Sequence, residues 1–180
     1  MIDWKSRFES GLTYEQFAAT VRKNHELWRG VYHLATIPPQ IIDRVNAMRR
    51  RRHLLILVED WCGDAANLVP PIARLAELTA RLDVRLLGRD ANPDIMDAHL
   101  TKVSRSIPVV AVLDEQFVER SWWGPRPREL QQWVLDVGLA MPSPERYHHI
   151  RAWYARDRAR TTLDELVSLL EQCSPTSVAS

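Results

Sequence analysis

Cysteine is scarce in this chain of 180 residues: Cys62 and Cys173 are the two present, too few for a disulfide framework. Their separation along the sequence defines no structural bridge, and the expected compartment is a reducing cytoplasm. An excess of charge of one sign is also missing. Lys and Arg total 24 against 23 acidic residues, so no broad basic surface for nucleic acid or an anionic membrane is expected. The start, Met1-Ile2-Asp3-Trp4-Lys5-Ser6-Arg7, lacks the apolar centre of a signal peptide, and no apolar run approaches the length of a membrane span. Six histidines occur, but no His/Cys/Asp set has ligand spacing, so no metal is expected. Internal repeats and low-complexity linkers are absent as well.

What is present, 46% hydrophobic and 26% charged residues, suits one compact domain with helical additions. Thr13-Tyr14-Glu15-Gln16 fits a capping box, and Phe17, Val21, Leu27 and Trp28 follow, with Gly30 as the expected stop of a first helix. Pro38-Pro39 opens a second helix carrying Ile41, Ile42, Val45 and Met48, which ends in Arg49-Arg50-Arg51-Arg52. That arginine run reads as a cationic last turn complementing the helix dipole, with a phosphate contact as the alternative.

Four strands are expected, at residues 53–58, 84–87, 108–113 and 117–122, with helical stretches between the first three. Strand-helix-strand is the unit of a parallel sheet, whereas Asp114-Glu115-Gln116 suits an antiparallel hairpin, so the sheet should be mixed. Beyond Gly124-Pro125-Arg126-Pro127, Leu130, Trp133, Val134 and Val137 share a helical face, Pro142-Ser143-Pro144 opens another helix, and Thr162-Leu163-Asp164-Glu165 caps a last one. The tail from Ser174 to Ser180 reads as frayed. The expected organisation is a single α/β domain: a helical extension over 1–52, a core over 53–140 and C-terminal helices over 141–180.

The chemistry centres on Cys62, where an apolar strand empties into Trp61-Cys62-Gly63-Asp64-Ala65. A cysteine between a strand and a following helix faces unpaired backbone N–H groups, which favour thiolate. Glu59, Asp60 and Asp64 oppose that by like-charge repulsion, and Asp64 also reads as a first-turn acid satisfying the helix dipole. Trp122-Trp123 at a strand end should send one indole inward to the core. The other indole covers the helical additions or forms a partner surface.

Three features resemble the thioredoxin-like superfamily in the right order: Trp61-Cys62-Gly63, Pro70 eight residues after the cysteine, and Ser106-Ile107-Pro108 opening a strand. The pattern is similar to bacterial thioredoxin family proteins with a Glu-Asp-Trp-Cys-Gly-Asp-Ala segment, an Arg-Ser-Ile-Pro and a Trp-Gly-Pro-Arg-Pro turn. The resemblance covers roughly residues 50 to 125. It implies a thioredoxin-like fold, an active-site helix interrupted at Pro70, and a cis Ile107–Pro108 peptide presenting the backbone of Ile107 beside the thiol. It also implies thiol-disulfide exchange with Cys62 as nucleophile and Trp61, Gly63, Asp64, Ile107 and Pro108 lining the substrate groove.

The chain departs from the dithiol pattern at Ala65, where the resolving cysteine would stand. A mixed disulfide on Cys62 then needs another thiol: glutathione or a similar small thiol as co-substrate, a partner protein, or Cys173. Cys173 also reads as a small apolar residue on a packed face. Arg105 either favours the thiolate or binds a small thiol's carboxylate, or is simply solvated. A peroxidatic cysteine would carry Thr or Ser where this chain has Glu59, and the Cys-Gly-Phe-Ser of cluster-binding monothiol glutaredoxins differs at Asp64 and Ala65. Protein or small-molecule disulfides are the expected partners, and no cofactor is expected. A non-catalytic thioredoxin-fold binding module, with an inert buried Cys62 as its extreme form, is the competing reading.

Overall fold

A computed structural model describes residues 2–173; the reading of the 174–180 tail as frayed falls outside them. The centre is one sheet of four strands, β1 (Arg52–Val58), β2 (Leu82–Gly88), β3 (Val109–Leu113) and β4 (Glu119–Trp123), in the order β2-β1-β3-β4. β1 is parallel to β2 and antiparallel to β3, and β3 is antiparallel to β4. The mixed sheet is therefore present, but β3 is not the parallel product of a second crossover. The helix between β2 and β3, α6 (Pro93–Ala98), has six residues. It spans about 9 Å, too little to return along a seven-residue strand of about 23 Å. The chain stays at one end of the sheet and enters β3 from there.

All seven residues of β1 are buried, because α-helices cover both faces of this central strand. Each apolar side chain of Leu54-Leu55-Ile56-Leu57-Val58 contributes about 1.5–3 kcal/mol by leaving water. α5 (Gly63–Glu77) follows β1 and buries Ala65, Leu68, Val69 and Ile72 against it. The helix is not interrupted at Pro70. It continues through Pro70 and Pro71 to Glu77, although neither proline has an N–H to donate.

The N-terminal region differs from the single expected helix. It forms α1 (Trp4–Ser10), α2 (Tyr14–Thr20) and α3 (His25–Leu34), so Gly30 lies inside α3 rather than at a stop. The break has a cause far away in sequence: the Asp60 carboxylate accepts from the backbone N–H of Arg22 and Lys23, at 2.9 and 3.0 Å. Those bonds hold the α2–α3 turn. Thr13 and Gln16 do form the capping box. Just before it, Leu12 exchanges two backbone hydrogen bonds with Leu86, at 2.9 and 2.8 Å, and so covers the open edge of β2. Gly11 permits that approach, since a Cβ there would come within 2.8 Å of Arg85 Cβ.

α4 (Pro39–Asn46) ends before the arginine run, which is not its last turn. Arg51 pairs with Asp83 at 3.0 Å, Arg50 with Glu115 at 3.8 Å, and Arg52 is the buried first residue of β1. The β3–β4 turn is longer than the expected three residues. Asp114 Oδ1 accepts from the N–H of Gln116 and Val118, and Phe117 adopts a left-handed φ of 57°, so β4 starts only at Glu119. α7 (Arg128–Asp136) buries Leu130 and Val134 and stops short of Val137, which is exposed.

α8 (Ser143–Asp157) begins at the expected prolines, and α9 (Arg160–Gln172) begins before Thr162. Thr162 is a fully buried residue within α9, not its cap. Trp123 goes inward and donates to Glu165 of α9 at 2.9 Å. Trp122 sits edge-on to His99, with ring centroids 5.5 Å apart.

Candidate functional site

Cys62 is the N-cap of α5, at the end of the sheet where β1 terminates and β3 begins. Its Sγ accepts from the N–H of Ala65 at 3.4 Å and donates to the carbonyl of Ile107 at 3.4 Å. The Ile107–Pro108 peptide, directly before β3, is cis. The fold thus brings together Cys62, Ile107 and Pro108, 45 residues apart in sequence. Beside them, Trp61 and Gly63 are exposed, and the Arg89 guanidinium lies 4.9 Å from the Trp61 ring centroid.

The acids flanking Cys62 all have fixed partners. Glu59 accepts from the Asp90 N–H at 3.0 Å. The Lys23 and Arg22 amides lower the Asp60 carboxyl from its ordinary value, and its carbonyl accepts from the Trp28 indole at 3.1 Å. Asp64 has the most enclosed position: Oδ2 accepts from Arg126 at 2.5 Å and Oδ1 from the Tyr154 hydroxyl at 2.7 Å. Arg126 also donates to Gln131 at 3.0 Å. Burial, followed by the Asp64 carboxylate, pushes the Tyr154 hydroxyl well above its ordinary range, so it stays a donor.

Neither Arg126 nor Tyr154 emerges from reading the sequence as a site residue, for they lie 62 and 90 residues from Asp64. The one local signal is the turn Gly124-Pro125-Arg126-Pro127. Gly124 has φ +135°, and a Cβ there would stand 2.2 Å from the Pro108 carbonyl oxygen. That glycine lets the turn lie flat against Pro108 and deliver Arg126 to Asp64.

The electrostatic conflict left open by the sequence is resolved upward. Burial raises the Cys62 thiol to about 11, the Asp64 charge adds to the rise, and the Ala65 N–H and Arg126 offset only part of it. An S–H donating to a carbonyl also favours the protonated form. The resting group is a thiol, with a thiolate fraction of about one in 10⁴ at pH 7.

Arg105 and Cys173 stand apart from this cluster. Arg105 is engaged by Asp97 through two hydrogen bonds of 2.7 and 2.8 Å. Cys173 ends α9, where its carbonyl accepts from Arg52 at 3.2 Å. Arg52 opens β1 and Cys62 follows its far end, so the two sulfurs are separated by about the strand's length, on the order of 20 Å. Ala65 is fully buried where a second thiol would stand. Among the described residues no group of three or more His, Cys, Asp or Glu could hold a metal.

Two solved structures share this architecture over nearly the whole chain. One is a protein of unknown function from Pseudomonas aeruginosa, with TM-score 0.78 and 20% identity, covering 97% of this chain and 100% of that one. The other is an HIV epitope-scaffold, with TM-score 0.76 and 19% identity, covering 96% and 100%. Likeness at that identity extends to the fold alone. No curated protein matches the chain. The family model described as Thioredoxin matches residues 11–146, a span that includes the β1–α5 turn, the Ile107–Pro108 loop and the turn carrying Arg126. With that match over three quarters of its length, this chain belongs to the thioredoxin family.

Proposed function

We propose that this protein carries out thiol-disulfide exchange through one nucleophilic sulfur, Cys62, by way of a mixed disulfide. The observation that carries the reading is the 3.4 Å approach of Cys62 Sγ, at the start of α5, to the Ile107 carbonyl beside Pro108. An extended segment lying along Ile107 brings its own disulfide against the sulfur. Trp61 and Gly63 border that groove, and Asp64, held by Arg126 and Tyr154, fixes the turn. In the first step Cys62 gives up its proton and its thiolate attacks one sulfur of R–S–S–R′. The Cys62–S bond forms, the R–S–S–R′ bond breaks, and R′–S⁻ leaves and takes up the proton.

With Ala65 in the second position, the intermediate awaits an external thiol, either glutathione or another low-molecular-weight thiol, or a partner protein's cysteine. Its thiolate attacks the R sulfur, Cys62 leaves as thiolate and is reprotonated, and the new disulfide joins R to the incoming thiol. Substrates are protein or small-molecule disulfides, in a reducing, cytoplasmic setting. Neither a metal nor another cofactor takes part. The raised Cys62 thiol favours a second reading, a binding module that keeps the groove without turnover.

Incubating Cys173→Ser protein with oxidised glutathione separates the two. Exchange predicts a single glutathione adduct by intact mass, absent in Cys62→Ser and removed by reduced glutathione. No adduct in the folded protein at pH 8 would leave the binding module.

A further inference from the structure

A cavity of about 1150 Å³ opens between α3, the segment leading into α4, α5 and the α8–α9 turn. Cys62, Ile107 and Pro108 do not line it. Its walls are mainly apolar, from Leu27, Val31, Leu34, Ile41 and Pro71, and Leu34 is 83% exposed although it is large and aliphatic. Such a volume slightly exceeds the usual range of small-molecule sites, about 300–1000 Å³.

The charge around it is unevenly satisfied. Arg44 is closed on Asp164 at 2.6 Å and Glu171 at 2.8 Å, so its charge is fully taken up and the triad keeps one net negative charge. Arg158 and Arg160, exposed on either side of buried Ala159, make no ion pair with a described residue. Glu26, in the first turn of α3, is the remaining acid on the wall.

Two backbone features accompany the arginines. Arg158 and Ala159 are both left-handed, with φ of 52° and 62°, a strained arrangement for consecutive non-glycine residues that turns both guanidinium-bearing positions around one corner. Across the cavity, α3 is bare at Gly30, where a Cβ would meet nothing within 4 Å.

We propose that this cavity binds an anionic amphiphile, a long-chain carboxylate. Its hydrocarbon lies along Leu27, Val31, Leu34 and Ile41, and its carboxylate is held by Arg158 and Arg160. The site is separate from the thiol chemistry and does not rest on it. The two adjoin, however. Tyr154 and Asn67 line the cavity, and they hydrogen-bond to Asp64 at 2.7 Å and to the Gly63 carbonyl at 2.8 Å, so an occupant touches the side chains that hold the turn around Cys62.

Calorimetric titration of the full chain with laurate below its micelle concentration tests the assignment. The expected result is one saturable site with a negative heat-capacity change. Dodecyltrimethylammonium, with the same tail and the opposite charge, should bind about tenfold or more weakly, and the Arg158→Gln/Arg160→Gln double variant should weaken laurate by about tenfold. Gly30→Leu, which grows into open space and improves helix propensity, should abolish binding without lowering Tm. Should Gly30→Leu fold poorly, the two exposed arginine substitutions carry the test alone. Absence of a saturable site, equal affinity for both amphiphiles, or unchanged laurate affinity in the arginine variant overturns the proposal. A dimer in sedimentation that Leu34→Glu dissociates would assign the face to a second copy and overturn it too.

Discussion

Replacing Asp64 by Asn should separate what this carboxylate does for the fold from what it does to the thiol. Its two oxygens accept from Arg126 and Tyr154, and the ion pair is largely enclosed, with side-chain exposures of 16% for Arg126 and 10% for Asp64. Asparagine keeps one acceptor but leaves the guanidinium charge without its counterion. Breaking a buried pair from one side costs about 3–5 kcal/mol. In a chain of this size each kcal/mol moves Tm by about 2–4 °C, so Asp64→Asn should lower Tm by roughly 6–20 °C. The double variant Asp64→Asn/Arg126→Gln removes both charges and should recover a large part of that loss.

At the sulfur the same substitution acts in the opposite sense. A negative neighbour that raises the Cys62 thiol disappears and the positive Arg126 is no longer neutralised, so the thiol should titrate below its value of about 11. Urea unfolding followed by tryptophan fluorescence reads the first effect, and the pH dependence of alkylation in a Cys173→Ser background reads the second. A loss under about 1 kcal/mol, a double variant less stable than the single, or an unchanged thiol titration would refute the placement of Asp64 as the charged link between Cys62 and Arg126.

Other outcomes follow from individual contacts. Both ring nitrogens of His99 face acceptors, Nδ1 the Ile95 carbonyl at 2.6 Å and Nε2 the Glu119 carboxylate at 2.5 Å. Burial lowers the His99 pKa, but the Glu119 and Ile95 bonds outweigh it, and the net direction is upward. A raised folded-state pKa contributes stability that is fully present below about 6.5 and is lost as pH rises through the folded value. Tm should therefore fall from pH 6 to 8 by more in the wild type than in His99→Gln; equal slopes would contradict the imidazolium–carboxylate pair. Gly124→Ala forces a Cβ to within 2.2 Å of the Pro108 carbonyl at a φ of +135°, and should cost at least about 3 kcal/mol in urea unfolding. Cys173→Ser should leave the rate of glutathione adduct formation and release unchanged, since its sulfur lies at the other end of β1; a stalled adduct would give Cys173 a resolving role.

The parts of this fold legible in the sequence are those set by short-range pattern. The apolar run 54–58 reads as a covered strand and is one, and Thr13 with Gln16 forms the capping box its spacing predicts. What escaped is set by distant partners. The α2–α3 break depends on the Asp60 carboxylate, and the Arg52 side chain, read as part of a helix terminus, is instead buried at the head of β1. The direction of β3 turned on how little chain α6 provides, which no periodicity announces.

The site follows the same division. Cys62 could be named because it sits at a strand–helix junction, and Ile107 and Pro108 through the resemblance of Ser106-Ile107-Pro108 to the thioredoxin-like segment. Arg126 and Tyr154 reach Asp64 only through the Gly124 turn and the packing of α8, so neither carries a local mark. The acids at 59, 60 and 64 looked like a direct argument against a thiolate. In the structure each is bound to something else, and it is burial that first raises the sulfur.

The most direct test is the rate of Cys62 alkylation by iodoacetamide in Cys173→Ser protein from pH 5 to 11. A protonated, hydrogen-bonded resting thiol predicts a rate rising about tenfold per pH unit to pH 10 with no plateau near 8.5. At pH 7 the rate should be roughly twentyfold below that of an unperturbed cysteine, since the smaller thiolate fraction outweighs the greater nucleophilicity of the more basic sulfur. A plateau below pH 8 would contradict this burial-dominated account of the sulfur, because it would mean an activated thiolate where the structure holds a buried thiol.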